Sequence, residues 1–502
     1  MQLSREIISS IDPAAAGLFA LPERVLQFGT GVLLRGLPDY FIDKANRRGS
    51  FNGRIVVVKS TATGGTDAFK QQDGLYTLVE RGMENGVASE RITVNASVSR
   101  VLSASEEWDQ ILACAENPLL QLIISNTTEV GIAFLEADAK AVRPVSFPGR
   151  VLSLLYRRYR HFNGSADSGM VIIPTELIVD NGDRLRDIVL QLARLGDYDS
   201  AFIQWLGTAN EFCNSLVDRI VPGRLSRAEQ EIIEKRLGYS DELMIMAETY
   251  RLWAIETTSE RTKTILSFSQ ADSGVLLAGD IGKYRELKLR LLNGTHTLCC
   301  GLAYLAGFRT VKEAMNEPLF AEYVSGLMMQ EIASLVAQED ISLEEARHFA
   351  SQVIDRFSNP YIEHQWLSIC VQYSSKMLMR AIPLIEKHYA AGNDTPELMA
   401  LGFAAYLLFS KPAEQQGDHF YGSYKGQRYP IQDDKAALLY ACWQNYPADT
   451  ALEKIMGSRE LFGLDLTAFK GFAKAVRLYL AALEEQGVMK TFASGITKKS
   501  VA

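Results

Sequence analysis

Apolar residues run along this chain in two rhythms. Through the first third they gather in short, nearly unbroken runs: RVLQFG (24–29), RIVVVKS (54–60), LQLIISN (120–126) and MVIIPTEL (170–177). Strands covered on both faces of a parallel sheet need such runs, because successive side chains meet opposite covering layers. Between them, VLLRGLPDYFIDKANRR (32–48, despite Pro38) and SEEWDQILACAEN (105–117) carry the spacing of helices. Alternating strand and helix predicts a doubly wound α/β domain.

From about residue 183 the rhythm changes, and after GDIGKYRE (279–286) nearly every segment has a helical period. VKEAMNEPLFAEYVSGLMMQEIASLVAQ (311–338) and TPELMALGFAAYLLFS (395–410) are examples. Single cores stop growing near ~250–300 residues, so 502 residues predict two domains. The expected division is an α/β domain over 1–280 and a mainly α-helical domain over 281–502. No internal repeat or low-complexity segment stands out, and the tail GITKKSVA (495–502) is expected to fray.

A formal charge of −8 argues against a nucleic-acid-binding surface, which needs clustered Lys and Arg, but leaves room for a local basic pocket. The six cysteines form no CxxC pair or regular framework, so reduced thiols and a cytoplasmic location are expected. MQLSREIISSID lacks the basic and apolar regions of a signal peptide. No apolar run reaches the ~18 residues of a membrane span.

QFGTGVLLRG (27–36) follows the first strand and opens a helix. Gly29 and Gly31 fit a turn that lets backbone approach a pyrophosphate at a helix N-terminus; a plain tight turn is the alternative. Leu34 stands where the usual third glycine would be. The second strand ends in Lys59-Ser60-Thr61, where an acidic residue ordinarily meets the adenosine ribose, so NAD and NADP are not separated here. Lys59 faces either a 2′-phosphate or solvent. SNTTE (125–129) lies at the carboxyl edge of a later strand, where such sheets bind ligands, or else caps the next helix.

KLRLLNGTH (288–296) sets Lys288, Asn293 and His296 in an apolar stretch. On an α-helix Lys288 and His296 lie about 80° apart around the axis and ~12 Å along it, with Asn293 one turn before the histidine. Reducing a ketone by hydride transfer needs a proton donor for the developing alkoxide and fixed donors that stabilise it. A lysine, an asparagine and a neutral histidine supply both. A core histidine with its polar atoms satisfied is the bland alternative.

FGTGVLLRG, QQDGLYTLVE (71–80), NSLVDRIVP (214–222), KLRLLNGTH and RFSNPYI (356–362) together resemble the polyol-specific long-chain dehydrogenases, the mannitol dehydrogenase family. Within it, SNTTEVGIAF, PTELIVDNGD, ANEFCNSLVDRIV and NPYIEHQWLSI are most similar to the branch acting on hexuronates. The resemblance implies a Rossmann-type N-terminal domain, a helical C-terminal domain, NAD as cofactor and no catalytic metal. Lys288 would be the acid/base, with Asn293 and His296 holding the substrate oxygen. Cofactor contacts are implied for Gly29, Gly31, Arg35, Lys59, Asp73, Asn126 and Glu129, and substrate contacts for Glu176, Asp218, Arg219, His364, Ser368 and Lys376.

Two departures from the mannitol branch bear on the substrate. Thr175-Glu176-Leu177 replaces Cys-Asp-Asn, and Leu177 cannot donate to an oxyanion. Ser368 stands in place of a pocket arginine, Lys376 matches the family lysine, and His364 replaces an acid. HQWLSICVQYSSK (364–376) is expected to form one helix that aligns these three. The change of sign fits a carboxylate-bearing hexuronate or aldonate. Epimeric hexuronates, a neutral or phosphorylated polyol, and a catalytically silent nucleotide sensor remain alternatives, and the oligomeric state, monomer or dimer, stays open.

Overall fold

The first strands of the chain meet side by side in one parallel sheet. The computed structural model describes residues 1–60, 65–127, 131–337 and 340–496. Its strands are β1 (Glu23–Phe28), β2 (Arg54–Lys59), β3 (Val98–Ser103), β4 (Leu122–Ser125), β5 (Val171–Pro174) and β6 (Glu211–Phe212), in the spatial order β3-β2-β1-β4-β5-β6. Every pair is parallel. The order reverses between β1 and β4, which places a switch point at the ends of these two strands, the usual crevice for a dinucleotide.

The continuous apolar runs have a direct cause. Val25, Ile55, Val57, Leu122, Ile124, Val171 and Ile173 pack into one core layer. Their neighbours Leu26, Phe28, Val56, Val58, Ile123 and Ile172 pack into the layer on the other face. Both faces are covered, so neither set of alternate positions is free to be polar.

The chain divides into two compact units, Met1–Arg81 with Ser89–Ile281, and Gly82–Ala88 with Gly282–Ala502. The first unit also contains a three-stranded sheet formed by Ser215–Asp218, Leu252–Glu256 and Val275–Ala278. The expected helix over 32–48 breaks at Leu37 into Val32–Gly36 and Pro38–Arg47. Pro38 has no N–H to continue a helix but is well suited to start one.

The second unit is mainly helical, with a departure at residues 412–431. There Pro412–Gln416, His419–Tyr424 and Gln427–Ile431 form an antiparallel sheet. Lys425 and Gly426 both take positive φ, 47° and 81°, in the two-residue turn between the last two strands. That is the turn whose twist matches a hairpin.

The span 311–338 is not one helix: it runs as Val311–Met315, Pro318–Gly326, a π-helical turn Leu327–Ile332, and Ala333–Val336. In the π-turn, Glu331 is buried, and its two oxygens accept the Leu398 and Met399 backbone N–H groups at 2.8 Å each. This carboxyl caps the helix Glu397–Phe409, whose surface is buried on nearly every side. Burial pushes the Glu331 carboxyl up to about 7 against the lowering effect of those two bonds. Among the described residues no helix is long and apolar enough to cross a membrane. Residues 497–502, most of the tail expected to fray, lie outside the described residues.

Candidate functional site

At the switch point the backbone does most of the shaping. Gly29 follows β1 with φ of +125°, and a Cβ there would meet Leu34 Cδ1 at 2.8 Å and the Asn126 carbonyl oxygen at 3.0 Å. Gly31 is the N-cap of Val32–Gly36, and a Cβ on it would meet nothing within 4 Å. The turn therefore has a filled floor and an open upper side. Leu34, buried, fills the space below; the close-packing glycine is Gly36, where a Cβ would come within 2.8 Å of Val221. Asn126 closes the far wall, donating its backbone N–H to Phe28 O and its amide to Thr175 at 3.1 Å. It caps no helix, since the next α-helix, Phe147–His161, is capped by Ser146.

Several residues named as contacts are engaged within the protein. Arg35 is buried over the Phe69 and Tyr76 rings and donates to Leu243 O at 2.6 Å, so its charge is spent beneath the turn. Asp73, at φ of 55°, accepts the Arg5 backbone N–H. Arg219 is fully buried against Glu80 at 2.7 Å and also donates to Glu248 O. Glu176 turns to the loop after β4, accepting from Ser125 Oγ at 3.1 Å and from both N–H and hydroxyl of Thr127 at 2.8 Å.

Arg35, Arg219 and Glu176 are buried, where a charge must be paired and pairing fixes its direction; Asp73 is half-buried. Lys59 is only 7% exposed, so the solvated reading of that lysine falls. Asp218 is buried at the end of Ser215–Asp218, and Leu177 is 63% exposed. Glu129 lies outside the described residues.

In the second unit the helix expected over 288–296 changes type. Gly282–Leu287 is α-helical, Lys288–Gly294 is a π-turn, and Thr295–Leu305 is α-helical again. On a regular α-helix Lys288 and Asn293 would point about 140° apart. The i→i+5 bonding of a π-turn brings position i+5 back over position i. Lys288 and Asn293 thus come to one face, with His296 in the next turn. Arg290 steadies the arrangement, held by Glu286 at 2.8 Å and donating to Met379 O and Arg380 O at 2.8 and 3.2 Å. Those carbonyls belong to a second π-turn, Met377–Ala381.

His296 is 8% exposed and stacks on Phe357, ring centroids 4.1 Å apart, with the edges of His364 and Trp366 beside it. Its Nε2 is buried and has no hydrogen-bond partner among the described residues. Burial, then the charges of His364, Arg356, Arg380 and Lys376, hold its proton affinity well below the ordinary histidine range. The ring is therefore neutral at pH 7, with one N–H to give.

The expected helix over 364–376 is two pieces, Trp366–Ile369 and Tyr373–Lys376, separated at Gln372, whose φ is +54°. Ser368 is exposed and His364 half-buried. Lys376 is half-buried as well, and its Nζ folds back to donate to Ile369 O at 2.8 Å, closing the carbonyl end of the first piece. Burial and then the nearby Arg380 charge lower its proton affinity. The sequence reading missed Arg380 and the brace Arg290. The one available signal was the four-residue step from Lys376 to Arg380, which places two cations on one helix face.

The family model for the mannitol dehydrogenase Rossmann domain matches residues 23–266, and that for the mannitol dehydrogenase C-terminal domain matches 280–484. An altronate oxidoreductase of Halalkalibacterium halodurans is 34% identical over 99% of this chain and 97% of its own length. That of Bacillus subtilis is 35% identical over 93% and 94%. Among solved structures, Pseudomonas fluorescens mannitol 2-dehydrogenase in ternary complex with NAD and D-mannitol superposes with a TM-score of 0.67 at 24% identity, covering 99% of this chain and all of that one. A substrate-free D-sorbitol dehydrogenase gives 0.75 at 20% identity over 97% and 99%. At those identities the two structures are alike in fold.

Proposed function

The chain belongs to the mannitol dehydrogenase family, and from that premise we propose that it is an NAD-dependent oxidoreductase interconverting D-tagaturonate and D-altronate in the breakdown of galacturonate. The altronate oxidoreductases it resembles over nearly their whole length support the substrate. The turn at Gly29, Gly31 and Asn126 fits a dinucleotide: its upper side is open and it ends at a helix N-terminus.

When bound, the nicotinamide supplies the hydride to the ketone carbon. Lys288 gives the proton that the resulting alkoxide needs. The Asn293 amide and the neutral His296 ring hold that oxygen, and fixed donors aimed at developing charge are worth more than mobile water. One observation carries the reading. A buried, neutral imidazole with an unpartnered Nε2 costs stability unless a ligand completes it, and it lies one turn beyond the Lys288–Asn293 pair. His364, Ser368 and Lys376 are proposed to face the far end of the substrate. The six free cysteines, five of them buried, support a reducing, cytoplasmic setting.

A panel of hexuronates, neutral ketoses and phosphorylated ketoses with NADH and NADPH, followed at the nicotinamide absorbance, tests the reading. Tagaturonate with NADH is expected to give the highest kcat/KM. Turnover of a phosphorylated ketose above every hexuronate, or no turnover at all, would overturn it.

A further inference from the structure

The second unit holds cations close together without evident counter-charges. Arg380 lies near enough to lower the proton affinity of Lys376, and both act on His296. Lys376 has a job in the fold: its ammonium caps the chain at Ile369 O. Arg380 has very little. Its guanidinium makes one long bond, from Nη1 to Thr297 Oγ1 at 3.3 Å, and pairs with no carboxylate among the described residues. None of its nitrogens is both sealed from solvent and unpartnered, so its remaining N–H groups stay reachable.

The acid that acts on Lys376, Asp433, is spent on the backbone N–H groups of Ser374 and Lys435. Two half-buried like charges near one another repel. The fold tolerates that repulsion, and an anion would remove it.

The placement of Arg380 follows from the chain. It sits in the π-turn Met377–Ala381, whose carbonyls at Met379 and Arg380 are held by Arg290 of the first π-turn. Its contact Thr297 is the residue after His296, and Thr297 in turn donates to Asn293 O at 2.8 Å. Arg380 therefore reaches the helix that carries the oxyanion donors, one position beyond the histidine. A ketose acid has its ketone near one end and its carboxylate at the other, so its anion needs a receptor displaced along the helix from the proton donor. A guanidinium offers a planar pair of N–H groups that matches a carboxylate, which an ammonium does not.

We propose that Arg380 is the specificity-determining residue that binds the substrate carboxylate in a two-pronged contact, with Lys376 adding charge but not the directed bonds. This rests on the hexuronate reading above and assigns its acid end to a residue.

The test is a charge series in the full-length protein: Arg380→Lys, Arg380→Gln and Arg380→Glu, each assayed with tagaturonate and NADH, alongside NADH titration and melting temperature. The expected order of KM is Arg, Lys, Gln, Glu from lowest to highest. Gln should lower kcat/KM by about 10- to 100-fold, chiefly through KM, and Lys should recover part of it. NADH affinity and melting temperature should stay near wild type. If Arg380 only braces Thr297, kcat and melting temperature fall together and Glu behaves like Gln; that result, or a loss under threefold with Gln, overturns the assignment. A wild-type protein that reduces no hexuronate defeats the hexuronate reading and the assignment with it; an active wild type with an indifferent Arg380→Gln defeats the assignment alone.

Discussion

The cofactor turn of the first unit and the polar cluster of the second are built from opposite materials. At the turn, recognition is made of backbone: Gly29 at an angle few side chains tolerate, Gly31 with open space above it, and charges such as Arg35 and Arg219 already paired below. In the second unit the candidate site is made of side chains left unfinished: His296 with a bare Nε2, and Arg380 with no carboxylate partner among the described residues. A site for a ligand common to many enzymes can be closed electrostatically and selective by shape. On the proposed reading, a site that tells one sugar acid from another keeps its charges unspent until the anion arrives.

Perturbing each side separately breaks or sharpens that contrast. The largest effect is expected from Lys288→Met, which should remove 10²- to 10⁴-fold from kcat while NADH affinity is retained, as for other lost general acids. Stopped-flow single turnover with tagaturonate checks it, and a loss below tenfold would return Lys288 to a structural role.

Next comes Glu331, a buried carboxyl outside the site whose two oxygens both accept backbone N–H groups. Its folded-state value of about 7 lies above the ordinary 4.5, so the native state holds the proton more tightly than the unfolded chain. Its contribution is fully present below pH 4.5 and is lost as pH rises through 7. Chemical denaturation at a series of pH values should therefore show wild type losing roughly 3 kcal/mol relative to Glu331→Gln over that range. Parallel pH curves for the two proteins would refute it.

Gly29→Ala tests the backbone side. Forcing a Cβ against Leu34 and the Asn126 carbonyl at φ of +125° should strain the turn by about 1–3 kcal/mol. NADH Kd, read by fluorescence titration, should rise about tenfold, with kcat at saturating NADH little changed. The smallest effect is expected from Lys376→Ala. Since its ammonium already serves Ile369 O, it should reduce kcat/KM for tagaturonate by only about three- to tenfold, less than the loss at Arg380.

What could be read from the sequence follows the same division. The strands at 24–29, 54–60, 120–126 and 170–177 appear where expected because burial on both faces leaves an unmistakable apolar run. Lys288, Asn293 and His296 were conspicuous as polar residues in an apolar stretch.

The geometry that unites them was not legible. A π-turn keeps nearly the same apolar spacing as an α-helix, and the hydrogen-bond shift leaves no compositional mark. The break at Gln372 was hidden for a related reason, since glutamine rarely takes a left-handed angle and carries no turn signature. The sheet at 412–431 escaped notice because most of its residues are exposed and only its last strand alternates, although Lys425-Gly426 marks one turn. The partners of Arg35, Asp73, Arg219 and Glu176 come from distant parts of the chain and leave no mark in the local sequence.

The π-turn at Lys288–Gly294 has a bearing on how this protein can change over generations. Such a turn holds one residue more than an α-helical ladder needs. Deleting Leu289 would let the ladder close regularly, improving local hydrogen bonding while leaving the lysine and the asparagine at i and i+4, about 40° apart around the axis. The shortened chain would gain a better helix and keep both side chains on one face. The spacing between the lysine and the asparagine can therefore change by one residue, provided that the helix type changes with it.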